Sequence, residues 1–239
     1  MAGMRLWARR QQEFQEELAH PWYHDCVDLG RPTPQAEGIF GPNQISKQAI
    51  LFDYIGKAIT IAGPQPRGLE MFCADGIYSH YALQHGAAYM TGVDLGDPQS
   101  AGSPMHLRQA AAMTDLLGHQ GRAEFRRQDV FDITGGYDFV ICAGGLYHIA
   151  DPGALLRKIR GIARSALVVQ TVYSLAESAA DYFEAPAPGQ TWGCRFSVDY
   201  LHATLRDSGW TVVESTHNEL AGNSNPRDRG SAYALCVPA

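Results

Sequence analysis

Apolar positions change spacing along the chain, and the changes divide it into stretches. Residues 5–19 place Trp7, Gln11, Phe14 and Leu18 at helical spacing among charged residues, which predicts a short amphipathic helix. Residues 21–43 are rich in Pro and Gly, carry aromatics and show no period. A segment of that kind reads as a lid or binding loop. Residues 44–61 return to helical spacing through Ile45, Ala49, Phe52, Ile55 and Ile59, and the run GPQPR stops that helix. From Gly68 onward, short apolar runs alternate with helical ones. Strands are predicted at Leu69–Cys73, Tyr89–Asp94, Ala123–Gln128, Tyr137–Ala143 and Ala166–Thr171. Helices are predicted at Ile77–His85, Met105–Leu117, Pro152–Ala163 and Val198–Ser208, and strands at Trp210–Glu214 and Tyr233–Val237 close the chain.

Strands alternating with helices pair in parallel through right-handed crossovers, which puts helices on both faces of one sheet. The final two strands lack a helical connection, so at least one of them runs antiparallel. The expected fold is α/β, a single doubly wound, mostly parallel seven-stranded sheet over residues 63–239. Residues 1–62 form an N-terminal helical cap or lid.

Composition narrows this only slightly. Of 239 residues, 45% are hydrophobic and 18% charged, which suits a folded soluble domain rather than a disordered chain. The five cysteines are odd in number and widely spaced, without a C-x-x-C pair. Neither a disulfide framework nor a zinc site is suggested, and a reducing cytoplasm is the expected compartment. The first 20 residues have no apolar signal core, and no apolar run is long enough to span a membrane. A net charge of −6 disfavours broad binding to nucleic acid, which depends on neutralising phosphates. Nucleic acid is thus disfavoured as a partner on charge alone, and the chain is expected to be a monomer or homodimer. A small-molecule partner is expected from the motifs below together with this charge. The clusters Arg122/Arg126/Arg127 and Arg157/Lys158/Arg160/Arg164 are the only features that would support RNA contact.

Ligands of open α/β sheets bind beyond the carboxyl ends of the strands. Asp94 closes the second strand about 20 residues after the first turn, where nucleotide folds hold ribose hydroxyls. Glu70 lies inside the first strand, where an unpaired carboxylate would be costly to bury. The turn Phe72-Cys73-Ala74-Asp75-Gly76 keeps one glycine and adds an acid, so it is not a pyrophosphate-binding fingerprint. A nicotinamide dehydrogenase is excluded on that ground, and a nucleoside ligand without phosphates is indicated.

Here the sequence resembles the class I S-adenosylmethionine-dependent methyltransferases. Their first motif, E/D-x-G-x-G-x-G, corresponds to Glu70–Gly76, with Phe72 and Ala74 replacing the first two glycines. A subgroup with an acidic, aromatic version of this turn also carries a W-Y-H segment and a T-P pair, matched by Trp22-Tyr23-His24 and Thr33-Pro34. Gly92-Val93-Asp94-Leu95, Gln128-Asp129-Val130, Gly145-Leu146-Tyr147-His148 with Asp151-Pro152, and Gly209-Trp210 continue the match. The layout over residues 20–239 is similar to that of the tRNA wobble-uridine carboxymethyltransferases. The resemblance implies S-adenosylmethionine as cofactor, with Glu70 near its amino group and Phe72, Cys73, Ala74 and Gly76 passing beneath it. It implies Asp94, beside Leu95, on the ribose, and Asp129 with Gln128 and Val130 at the adenine. Ala143, Gly144 and Gly145 would support the methionine end. Asp75 would be tolerated through attraction to the sulfonium.

An oxygen acceptor needs a general base, and histidine is the commonest. His148 is the candidate, with Tyr147 beside it; a helix-capping or packing role for His148 weighs equally. His24, brought over the site by the N-terminal lid, is the second candidate base, although a buried structural role fits it better, and Tyr23 beside it would face the acceptor. The segment 173–196, with Trp192, would form an acceptor wall, and Arg227 in the polar loop 217–229 would bind an anionic or sugar-like acceptor. No His/Asp/Glu cluster calls for a metal. Three readings follow in order: a small-molecule methyltransferase forming an O-methyl product, a tRNA- or nucleoside-modifying enzyme, and a non-catalytic cofactor-binding scaffold.

Overall fold

Both faces of the central strands carry apolar side chains, so each strand is buried from two sides, as a doubly covered sheet requires. In the computed structural model, which describes residue 12 and residues 15–95 and 103–239, these runs form one seven-stranded sheet. The strands are β1 (Arg67–Met71), β2 (Tyr89–Asp94), β3 (Ala123–Arg127), β4 (Tyr137–Ala143) and β5 (Ala163–Tyr173). A small hairpin, β6 (Phe183–Glu184) and β7 (Arg195–Phe196), precedes β8 (Trp210–Glu219) and β9 (Gly230–Pro238). The order is β3-β2-β1-β4-β5-β9-β8. It is parallel through β5, with β9 antiparallel to both of its neighbours. This is the predicted sheet. Most of the helix predicted over 5–19 lies outside the described residues, although residues 15–18 are helical.

Alternation along β1, β4 and β5 splits the core in two. Leu69, Met71, Val140, Cys142, Leu167 and Val169 face α4 (Pro152–Ile162) and α5 (Val198–Asp207). Phe139, Ile141, Ala166 and Val168 face α1 (Phe40–Ala62) and α2 (Ile77–Gln84). The helix α3 (Ser103–Leu116) crosses from β2 to β3. Trp22 and Cys26, both fully buried, belong to the core of the α1–α2 face, so the N-terminal segment packs into the domain.

Two elements differ instructively from expectation. The helix α1 starts at Phe40 rather than residue 44 because Pro42 lies in its first turn, where a missing N–H breaks no bond. Its buried stripe is also rotated. Ile45 is 84% exposed, whereas Asn43, Gln44, Lys47 and Gln48 are buried ahead of Leu51, Ile55 and Ile59. The strand β8 runs to Glu219, well past the predicted Glu214, because it is the sheet's edge and its second half is mostly polar and exposed.

Candidate active site

The loop after β1 takes left-handed backbone at three alternate residues, Phe72 (φ 59°), Ala74 (φ 46°) and Gly76 (φ 76°). Only glycine adopts this conformation freely, and side chains held in it cluster where function requires the shape. The loop is tied at both ends. Asp94 accepts the Ala74 N–H at 2.9 Å, and the Gly76 N–H reaches the Cys73 carbonyl at 2.7 Å. Phe72 turns its ring onto Gly145, where a Cβ would lie 1.9 Å from the ring. The strain gives a direct test. Ala74→Gly relieves about 1–2 kcal/mol of left-handed strain and gives back about 0.4–1 kcal/mol through the unfolded chain. Thermal melts should therefore rise by a few degrees; a fall would show that Ala74 is not strained.

Glu70 is buried and accepts both the N–H (2.7 Å) and the hydroxyl (2.5 Å) of Ser79, in the first turn of α2. Burial outweighs these bonds and lifts its pKa to about 8. Asp75 is fully buried, with Oδ1 2.6 Å from His24 Nδ1 and Oδ2 accepting the His24 N–H at 2.7 Å. Burial alone would raise its pKa, but His24 reverses the sign and holds it below the usual range. Asp75 is thus committed to His24, a correction to the expectation that its charge serves a sulfonium. Thr33 holds the same histidine from behind, donating its hydroxyl to the His24 carbonyl at 2.8 Å, so the W-Y-H and T-P segments meet in space.

Beyond β2 and β3, Asp129 caps the 3-10 turn Val130–Asp132 through the Phe131 N–H (2.9 Å), and Gln128 donates to the Asp132 carbonyl (3.1 Å). Val130 packs into the core, and Cys73 is buried beside Gly92. Leu95 and Phe131 stay 49% and 41% exposed next to Asp94 and Asp129. Exposed apolar side chains beside two carboxylates are a fitting cradle for an adenosine, whose base needs apolar faces and whose ribose needs acceptors.

At the end of β4, Ala143 is buried and Gly144 is left-handed (φ 74°), with Gln170 Oε1 3.9 Å from where its Cβ would lie. Tyr147 and Gly144 line a cavity of about 80 Å³ with Tyr23, His24, Asn43, Gln44, Lys47, Gln170 and Asn223. Tyr147 is braced from the hairpin: Arg195, ion-paired with Asp228 at 2.5 Å, lies 5.3 Å from its ring centre, and the Cys194 N–H bonds its carbonyl. His148 does not line the cavity. It is exposed and stacked on Trp192 at 5.0 Å, and crowding together with Arg195 lowers its pKa. Arg227 lies outside the cavity lining as well, 3.7 Å from Glu184. Arg126, Arg157 and Arg164, named above as the support for RNA contact, are ion-paired with Glu124, Asp151 and Asp138.

Sequence reasoning missed Lys47, Gln170 and Asn43, whereas Asn223 belongs to the polar loop 217–229 expected at the acceptor. The signal for the first was present: a helix whose buried stripe turns polar for its first three turns covers something polar. Among the described residues no group of three or more His, Cys, Asp or Glu side chains is placed to hold a metal. No described helix is long and apolar enough to cross a membrane.

Comparison with known proteins agrees with this geometry. An "Ubiquinone biosynthesis O-methyltransferase" of Marinobacter nauticus is 29% identical over 142 residues, covering 59% of this chain and 52% of that protein. The chain thus spans about half the length of that relative. The magnesium protoporphyrin IX methyltransferase of Synechocystis, solved with bound S-adenosylmethionine, superposes with a TM-score of 0.63 at 16% identity over 89% of this chain and 91% of that one. The N-terminal domain of EvdMO1 with bound S-adenosylhomocysteine gives 0.62 at 20% identity, covering 100% and 98%. At such identities these structures establish the fold alone. A family model described as a methyltransferase domain matches residues 44–215, most of the chain from α1 to β8, and the chain belongs to that methyltransferase family.

Proposed function

We propose that this protein is a class I methyltransferase that uses S-adenosylmethionine to methylate an oxygen of a small-molecule acceptor. The observation that carries the reading is the left-handed loop 72–76 held by Asp94, with Leu95, Phe131 and Asp129 around it. The bound cofactor would supply an electrophilic methyl on a sulfonium. The chain's part is positioning, which supplies much of the acceleration in a displacement of this kind. Asp94 would hold the ribose hydroxyls, Asp129 the adenine edge, and Gly144 with the loop carbonyls the methionine end. Acceptor oxygen would approach from the cavity beneath Tyr23 and Tyr147. His148, in the exposed turn after β4 and outside that cavity, would take the released proton through solvent. The O-methyltransferase relatives support oxygen as the acceptor atom.

Calorimetry with S-adenosylhomocysteine and with NADH tests the reading. Binding of the first in the micromolar range and none of the second is expected, followed by methyl transfer to phenolic or carboxylic acceptors. Absence of S-adenosylhomocysteine binding would remove the methyltransferase assignment.

A further inference from the structure

The cavity beneath α1 contains a cation with nothing of its own to bind. Lys47 is buried, and among the described residues it makes no hydrogen bond and no ion pair. Its one contact of note is the Tyr23 ring, 5.6 Å from the ammonium. The neighbouring polar residues of the same helix face are differently placed. Asn43 bonds the Ile39 carbonyl and Asn223, Gln44 bonds the backbone of Asp25 and the Gln35 amide, and Gln48 bonds Asp28. Gln44 and Gln48 thus hold the N-terminal segment and Asn43 the loop after β8, whereas Lys47 holds neither. Tyr23 and Tyr147, across the cavity, likewise have hydroxyls without a hydrogen-bond partner among the described residues, and the buried Gln170 Oε1 has none. Burying an unpaired ammonium is costly, and several unmatched polar groups converging on one space indicate a polar ligand.

The place of the cavity indicates which ligand. Its walls come from α1, the end of β5 (Gln170, Val172) and the loop after β8 (Leu220, Asn223). It therefore lies on the far side of β4 from the Asp94–Asp129 cradle, with Gly144 between them. At about 80 Å³ it admits one head group rather than a whole ligand, whose pockets usually run to about 300 Å³ or more. Resting on the methyltransferase reading, we propose that Lys47 is the anchor for an anionic oxygen of the acceptor, a carboxylate or acidic hydroxyl. Tyr23 and Tyr147 complete its hydrogen bonds. The acceptors are therefore small acids rather than neutral alcohols. Charge-assisted bonds in a water-poor cavity are the strong ones, so the preference for anion over neutral isostere should be large.

The test uses benzoate as the probe and benzamide as its neutral isostere, titrated into the protein loaded with S-adenosylhomocysteine. Wild type should bind benzoate and discriminate against benzamide by about tenfold or more. Lys47→Met should lose that discrimination while binding S-adenosylhomocysteine within about twofold of wild type, since charge-assisted contacts alone are removed. Desolvation lowers the Lys47 pKa to about 8. Benzoate affinity of the wild type should accordingly fall as pH rises through that value. The other titratable groups facing the cavity are Tyr23, His24, Tyr147 and the Asp75 behind His24; both tyrosines are held above their usual range and Asp75 below its own. This pH arm needs no variant and stands if Lys47→Met fails to fold. Absence of benzoate binding, equal binding of benzamide, or a flat pH profile overturns the proposal. So does a loss of about tenfold in S-adenosylhomocysteine affinity in Lys47→Met, which would put the lysine on the cofactor's carboxylate. Wild type that fails to bind S-adenosylhomocysteine at all removes the methyltransferase reading itself, a result distinct from the others.

Discussion

Asp75→Ala is expected to cost about 3–5 kcal/mol of stability, the usual result of removing one partner from a buried, hydrogen-bonded charged contact. For a chain of this length that corresponds to a fall of roughly 10 °C in melting temperature. The reason is local. Both carboxylate oxygens are taken up by His24, neither residue is more than 3% exposed, and the pair joins the N-terminal segment to the loop after β1. Without Asp75 the His24 imidazole stays buried with no partner at Nδ1, and its Nε2 already has none. Asp75→Asn keeps an acceptor for the His24 N–H and should lose less than half as much. The pH dependence has a definite sign. Because the folded pKa of Asp75 is lowered, its contribution is complete above the ordinary carboxylate value of about 3.9 and is lost as pH falls through the lower folded value. Wild type and Asp75→Ala should therefore differ fully at neutral pH and converge in strong acid. Melting curves that coincide at neutral pH would mean that the pair is not a structural tie.

The sheet was legible because its strands are short apolar runs closed by Gly, Asp or Pro, and that pattern is dictated by burial on both faces. The candidate site was legible where polar residues coincide with strand ends. Asp94 was singled out by its position and Asp129 through the family resemblance, and both lie at the carboxyl ends of strands, where ligands of this kind of sheet bind. What was hidden depended on contacts distant in sequence. The pairing of His24 with Asp75 spans 51 residues and leaves no periodic trace. Phe72 and Ala74 read as lost glycines, whereas the backbone keeps the glycine conformation and carries the side chains at a cost in strain. The phase of α1 was misread because Ile45 and Ala49 look like core residues. A helix that buries Asn43, Gln44, Lys47 and Gln48 breaks the rule that apolar residues face inward, and the place where it breaks is the cavity.

Asp94→Ala should abolish measurable binding of S-adenosylhomocysteine, or weaken it by at least about 100-fold. Hydrogen bonds to a charged acceptor contribute about 1.5–3 kcal/mol each, and two ribose hydroxyls give about 3 kcal/mol or more, which is that factor. The carboxylate also holds the Ala74 N–H at 2.9 Å, so part of the loss would come through the loop and not the ribose. Two comparisons separate these contributions. Asp94→Asn retains an oxygen for the Ala74 N–H but removes the charge, and it should fall between wild type and Asp94→Ala. Adenine lacks the ribose, so competition by adenine should weaken far less in Asp94→Ala than competition by adenosine. Equal weakening of adenine and adenosine would mean that Asp94 acts only by shaping the loop. Unchanged affinity for S-adenosylhomocysteine would place the cofactor elsewhere on the sheet. The melting temperature should move little in either variant, because Asp94 is only half-buried at the mouth of the cleft. A large fall would assign the residue to stability instead, and the cradle at the end of β2 would then rest on Asp129, Leu95 and Phe131 alone.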